Sequence, residues 1–280
     1  LASGNYAFTS FVNGTLTITQ SQLTVTANDQ TRVFGAANPA LTFQITGFQN
    51  GETLGTSGVT GTPNISTSAT STSGPGAYPI TAAQGTLAAP NYTFATANGT
   101  LTVTQAATTT TITNASALGS STVVGQNYPV NWTTSPVAPG AGTPTGNVTV
   151  SDGTGNTCTA AVGAGTCSLA STLGAKTITA TYAGDANFGG STSQAVQHNV
   201  VIGLTGNVKQ FIAFGTNTNL AGVTMTLLNT QTQQAVTTTT DANGNYSFGV
   251  TQTGSSYTIT PSGLGKAFEA TNRTYTNVAG

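Results

Sequence analysis

The chain is 280 residues long, enough for two or three domains with modest cores, and it carries five Lys+Arg against six Asp+Glu, a net charge of −1. Charged residues supply 4% of it, where about 25% is ordinary, so the sequence has no electrostatic footprint for nucleic acid and no polybasic patch for an anionic membrane. Solubility falls to Thr, Ser, Asn and Gln. Threonine alternates with apolar residues in TLTVT, TTTTIT and KTITATY, the period-two pattern of half-buried strands.

Low charge with abundant Thr, Ser, Gly and Asn also describes flexible linkers, but the regularly spaced Tyr, Phe, Val, Ile and Leu argue for folded β-domains. No amphipathic helical window of useful length is visible. No signal peptide, membrane span, coiled coil or anchor motif lies in these residues.

In chain order, the first element is one copy of a repeat. Residues 1–20 read LASGNYAFTSFVNGTLTITQ and residues 87–105 read LAAPNYTFATANGTLTVTQ, a period of about 85 residues that is domain-sized rather than solenoid-sized. In the second copy Asn98-Gly99 predicts a type I′ hairpin turn, since both central residues need positive φ. That turn would pair Phe94 with Val103 and Thr96 with Leu101, and would set Tyr92, Phe94, Leu101 and Val103 on one core-facing side. The first copy has one extra residue before Asn13-Gly14, so keeping Tyr6 and Phe8 on the face of Leu16 and Ile18 requires a β-bulge or a longer loop. Residues 1–20 therefore read as the closing hairpin of a truncated repeat. Core and inter-domain packing explain these aromatics better than a stacking platform for sugar or nucleic acid.

Residues 21–105 form the first full domain. A strand over 23–29 leads through turns at Gly35, Asn38-Pro39 and Asn50-Gly51 around a strand at 41–46, and GAYPITA resumes the strand pattern before the repeated hairpin. Asp29, Arg32 and Glu52 are its charges; scattered so, they suit loop anchoring rather than acid/base chemistry. The run LTVTANDQTRVFGAANPALTFQITGFQNGETL, with GAYPITA, PNYTF and NGTLTVTQ, resembles the MBG domain, a β-rich module found in tandem in large bacterial surface and secreted proteins. The resemblance implies an extended surface array and brings no catalytic residues.

Residues 106–197 hold about seven short strands separated by Gly, Pro, Asn and Ser turns, the count of an immunoglobulin-like sandwich. Val130, Trp132, Val148 and Val150 are expected inside. A hairpin turning at Val162-Gly163, or over the four residues from Ala161 to Ala164, would place Cys158 and Cys167 opposite each other, and a structural disulfide is favoured over free thiols. It would indicate an oxidising, extracytoplasmic location; the spacing is not that of a redox CxxC pair. Two cysteines with the distant His198 make a poor metal set. GTPTGNVTVSDG and TITATYAGDANFGGSTS resemble the bacterial immunoglobulin-like repeats of surface proteins. In the closing motif Asp185, Asn187 and Phe188 are expected to form a turn and core plug, with Tyr182 inward nearby.

Residues 198–280 read as successive strands over 220–228, 235–240, 246–250 and 257–260, with Asp241 to Asn245 as the turn between the middle two. Asp241, Asn243 and Asn245 superficially match the start of a calcium loop, but the twelfth-position glutamate and flanking helices are missing, and the turn reading is preferred. AGVTMTL, TTTTDANGNYSF and SYTITPS resemble the carboxypeptidase-regulatory-like or Cna protein B-type module, a transthyretin-like sandwich. Some relatives of that type carry a Lys-Asn isopeptide bond. Lys209 and Asn277 occupy broadly suitable places, with Glu269 the acid nearby in sequence, although the acidic partner is not clearly placed on an inner strand.

The sequence thus predicts an all-β chain of tandem small domains, at least two of them sandwiches, from a bacterial cell-surface or secreted protein. No HExxH, Walker A, dinucleotide glycine motif or GxSxG occurs. The single histidine, His198, falls at a domain junction as an exposed linker residue, and no catalytic or cofactor-binding residues are expected. The functional expectation is a structural stalk segment that presents distal binding domains. Its alternative is an adhesin segment that itself binds carbohydrate or protein through an exposed edge or loop face. Neighbouring domains of the same chain are the expected partners, without nucleic acid or membrane insertion.

Overall fold

A computed structural model describes residues 12–212, 216–250, 253–276 and 278. The chain divides into two compact units. The first runs to Ala106 and takes in Ala138–Ala141; the second holds Ala107–Val137 and Gly142–Gly280. Strands dominate both, as the period-two patterning requires.

Among the described residues, seven strands build the first unit: β1 (Ser21–Ala27), β2 (Gln30–Val33), β3 (Phe43–Thr46), β4 (Asn64–Thr67), β5 (Gly76–Ala83), β6 (Tyr92–Ala97) and β7 (Gly99–Thr104). They form two sheets, β3-β1-β6 and β2-β7-β5-β4. Their inner faces meet over Leu23, Val25, Ile80, Leu101 and Val103, each no more than 2% exposed. Each of these residues lies on alternate positions of its strand, so a one-residue slip would turn the whole set to solvent.

The expected Asn98-Gly99 hairpin does not form. β6 and β7 lie in different sheets, β6 beside β1 and β7 between β2 and β5, so Phe94 does not face Val103 across a ladder. Neither Asn98 nor Gly99 has positive φ; the Asn-Gly step that does is Asn50-Gly51, with φ of 56° and 74°. The inward-facing set is nevertheless as expected, with Tyr92, Leu101 and Val103 buried and Phe94 half-buried, because two facing sheets and one hairpin place alternate residues inward alike.

Residues 12–20 carry no strand among the described residues, and Leu16 and Ile18 are 84% and 86% exposed. The core face expected for them is absent, since a strand without ladder partners leaves its backbone groups and side chains to water. Tyr6 and Phe8 lie outside the described residues.

The second unit begins with β8 (Thr108–Ile112), the single turn α1 (Ala115–Leu118), β9 (Thr122–Val123), β10 (Tyr128–Pro136), β11 (Asn147–Ser151) and β12 (Thr157–Ala161). It continues with β13 (Thr166–Leu169), β14 (Gly174–Tyr182), β15 (Ser191–Thr192) and β16 (Val196–Asn207). One sheet runs β13-β10-β8; the other runs β12-β11-β14-β16, with β15 on β14 and β9 on β16. Val130, Trp132, Val148, Val150, Tyr182 and Phe188 fill the space between, all 2% exposed or less, the first four as expected of inward-facing strand positions and the last two as expected of the closing motif.

β16 does not stop at residue 197. It runs unbroken for twelve residues, pairing with β14 through Val196–Val200 and then with β21 (Asn245–Val250) through Ile202–Asn207. The remaining strands are β17 (Lys209–Ile212), β18 (Thr216–Asn219), β19 (Thr224–Asn229), β20 (Ala235–Thr239), β22 (Tyr257–Ser262) and β23 (Arg273–Tyr275). A sheet β20-β19-β22-β23 packs through Met225, Leu227 and Ile259 onto Leu204, Tyr246 and Phe248 of β16 and β21.

Candidate functional site

Three features stand out among the described residues: two parallel strand pairs in the first unit, a buried polar seam in the second, and the Asx turn between β20 and β21.

In the first unit β1 runs parallel to β6, and β2 parallel to β7. Ser21 stands beside Tyr92 and Gln30 beside Leu101, so the separation of 71 residues is kept from one sheet to the other. Both segments switch sheets side by side, at Asn28-Asp29 and at Asn98. Asp29 Oδ1 accepts the Thr100 N–H at 2.7 Å across the switch, and Asn98 Oδ1 accepts the Ala82 N–H at 3.1 Å. Gly99 is buried there, and a Cβ on it would lie 2.5 Å from the Ala27 carbonyl oxygen. Glycine is needed at Gly99 for close backbone approach, with no demand for positive φ.

The other charges of this unit also tie loops. Arg32, 7% exposed, donates from Nε to Asn38 Oδ1 at 2.7 Å and from its guanidinium to the carbonyls of Val33 and Thr70. The Tyr92 hydroxyl donates to Glu52 Oε2 at 2.5 Å and accepts the Gln49 N–H. That bond to Glu52 raises the Tyr92 pKa.

The buried seam of the second unit has no contiguous motif in the sequence. Lys176 Nζ lies 3.4 Å from Asp152 Oδ2, with side chains 2% and 0% exposed. Lys176 also donates to Thr154 and Thr172, and Asp152 accepts from the backbone N–H groups of Thr154 and Asn156 and from both their side chains. Burial alone would raise the Asp152 pKa, but these hydrogen bonds and Lys176 outweigh it and bring it down to about 2. The readable signal was strand parity: Lys176 shares its face of β14 with Ile178, Ala180 and Tyr182, so its stem had to point inward.

His198 is the cross-strand partner of Lys176. It is 3% exposed, which corrects the exposed-linker expectation. Because β16 continues through it, the ring is held between strands: Nδ1–H donates to the Leu118 carbonyl at 2.8 Å, and the Tyr128 ring packs at 4.3 Å. Burial, then Asp152, push the Tyr128 pKa up to about 12.

The Cys158–Cys167 disulfide is present, with a Cα–Cα distance of 6.0 Å. The expected hairpin around it is absent. β12 pairs with β11 and β13 with β10, and a 3-10 turn at Val162–Ala164 carries the chain between them, so the bond links the two sheets. Asp185 closes its motif by accepting from the N–H groups of Asn187 and Phe188 and from Thr145. Burial opposes ionisation here, but these donors hold its carboxyl well below the usual range.

In the turn after β20, Asp241 Oδ1 accepts the N–H groups of Asn243 and Asn245 at 2.8 and 2.9 Å, and Gly244 has φ of 73°. Asn245 Oδ1 accepts from Asn207. Among the described residues no group of three or more His, Cys, Asp or Glu is gathered as metal ligands. Lys209 and Glu269 are exposed; Asn277 lies outside the described residues. No helix among the described residues is long and apolar enough to cross a membrane.

Residues 23–102 match the family model of the MBG domain (YGX type). Residues 114–201 match that of the bacterial Ig-like domain (group 3). The chain is that of a bacterial extracellular or cell-surface protein. Those two matches fall on the two-sheet core of the first unit and on the disulfide-bearing sandwich of the second, and they place the chain in an extracellular or cell-surface setting. Both families are surface modules. No curated protein matches the chain. Among solved structures, a 1.5-MDa bacterial ice-binding adhesin is 16% identical, with 72% of each chain covered and a TM-score of 0.25. A Ca2+-stabilized adhesin of an Antarctic bacterium is 19% identical, over 72% of this chain and 56% of that one, at 0.24. A tetra-tandem repeat from the extending region of a large adhesion protein is 17% identical, over 86% and 70%, at 0.27.

Proposed function

We propose that this segment is a structural stalk that carries load and presents binding domains elsewhere in the same long protein. The parallel course of β1–β2 beside β6–β7 carries this reading. The chain enters the first unit at one end of that pair and leaves at the other, so tension along the chain loads the parallel ladders in shear, all bonds together. The second unit has a shorter parallel pairing, of β9 with β16 at Val200 and Val201. Continuity of β16 into the last sheet favours transmission without a soft linker at that point.

On this reading residues 21–105, 106–197 and 198–280 are three successive modules, the last of the carboxypeptidase-regulatory-like or Cna B-type kind, and residues 1–20 belong to a preceding repeat. The Asp241 turn serves backbone closure in place of calcium binding, no isopeptide joins Lys209, and no reaction is catalysed. A direct adhesive role is the second reading, and the exposed edge strand β20, with Val236 54% exposed, favours it.

Single-molecule pulling of the full chain tests the stalk. Handles at Gln22 and Thr104 load the ladders in shear, whereas handles at the cross-strand neighbours Gln22 and Thr93 peel them one bond at a time. Shear should require several-fold more force; equal forces in the two geometries would sink the proposal.

A further inference from the structure

The chain has five basic residues. Two are consumed inside the fold, Arg32 at 7% and Lys176 at 2% exposure. The other three, Lys209, Lys266 and Arg273, are exposed, and all three converge on one place in the last sheet region. A recess of about 280 Å³ is lined by Lys209 and Arg273, and a second of about 370 Å³ by Lys209 and Lys266. Lys209, Phe268 and Glu269 line both, so the two adjoin. Glu269 is the one acid there, leaving a local excess of two positive charges on a chain whose net charge is −1.

Two further features suit this surface to a particular ligand. Phe211 lines the second recess and is 69% exposed, more than any other aromatic residue that is counted as exposed among the described residues, Phe43 being 38% exposed. The Arg273 guanidinium is held 5.0 Å over the Tyr275 ring, which limits its rotamers and presents its donor fork.

We propose that Lys209, Phe211, Lys266 and Arg273 bind an extended polysaccharide bearing uronic acids. The flat, exposed phenyl ring of Phe211 stacks on the C–H face of a pyranose, and the planar fork of Arg273 matches a carboxylate in two hydrogen bonds. Lys209 and Lys266 supply point charges for the carboxylates of neighbouring sugars, and the Asn272 amide, at the rim of the first recess, meets hydroxyls. Two contiguous recesses fit a polymer better than a single sugar. A single-stranded nucleic acid shares the stacking and the negative charge, but it carries a phosphate at every nucleotide and calls for a longer basic track than three side chains on an otherwise neutral surface. This binding role is separate from load transmission, and its failure would leave the stalk reading standing.

The test is calorimetric titration of the full chain with hexagalacturonate, with neutral galactohexaose and with an oligothymidylate of matched charge. Hexagalacturonate should bind saturably, more weakly in about 300 mM than in about 50 mM salt. Phe211→Ala and Lys266→Ala, both at exposed positions, should each weaken it by about tenfold without changing the near-ultraviolet circular dichroism. The proposal is overturned by any of four results: no saturable binding of hexagalacturonate up to about 1 mM, equal affinity for galactohexaose, tighter binding of the oligothymidylate, or unchanged affinity in both variants.

Discussion

Asp152 and Lys176 meet at 3.4 Å with both side chains sealed from solvent. In a chain with so few charges, an ion pair in the core of its immunoglobulin-like sandwich is costly to break, since removing one partner leaves the other charged, buried and alone. Lys176→Met should therefore destabilise the second unit by about 3–5 kcal/mol. The double variant with Asp152→Asn should lose less than the sum of the two single changes. Urea unfolding of the four proteins gives the coupling directly.

The same carboxylate fixes an acid limb. Its folded pKa of about 2 lies below the ordinary 3.8, so its contribution is complete above about pH 4 and disappears as pH falls through 2. Asp185 is shifted in the same direction. Asp152→Asn should unfold less steeply with acid than the parent between those limits, although it starts less stable. Stability curves of equal slope would contradict the assignment.

Opening the Cys158–Cys167 bond should cost about 2–3 kcal/mol, the chain-entropy value for so short a loop. Since the bond joins two sheets, Cys158→Ser and Cys167→Ser should also raise amide exchange in β12 and β13 together. A hairpin disulfide would instead protect one local ladder.

The two copies of the Asn-Gly-Thr-Leu-Thr motif should respond differently to one change. Gly99→Ala sets a methyl group against the Ala27 carbonyl, and overpacking of this kind costs about 1–3 kcal/mol. A Cβ on Gly14 meets nothing within 4 Å, so Gly14→Ala should be silent. Thermal melts of the two variants measure the contrast, and equal effects would show that Gly99 is not in close backbone approach.

Loss of the Asp29 stitch should be mild in equilibrium and larger under force. Asp29→Ala removes the acceptor for the Thr100 N–H, worth about 1 kcal/mol at a solvent-accessible site. Under shear the switch between sheets is where the two parallel segments are tied, so the rupture force of the first unit should drop measurably while that of the second stays unchanged.

Much of the architecture was written in local pattern. Alternation of Thr with Val, Ile and Leu determined that the chain is all-β, and parity alone put Val130, Trp132, Val148 and Val150 inside. Asp241 and Gly244 marked their turn because an Asx side chain and a residue free to take positive φ act within five residues of chain. The family motifs likewise resided in contiguous runs.

Pairing was decided elsewhere. Asn50-Gly51 and Asn98-Gly99 are the same dipeptide, yet one is a positive-φ turn and the other a crossing between sheets. What separates them is the course of β1, about seventy residues upstream of β6, which gives Tyr92–Ala97 a parallel partner and leaves no room for a hairpin. The burial of His198 has a related cause: Gly203 and Gly206 lie within β16 and nothing local marks it as one strand, and its ladders with β14 and β21 hold it intact with the ring inside. Local chemistry specifies which residues face inward, because alternation is a property of one strand. Which strands lie together depends on ladders between distant segments, and those exist only once the sheets have formed.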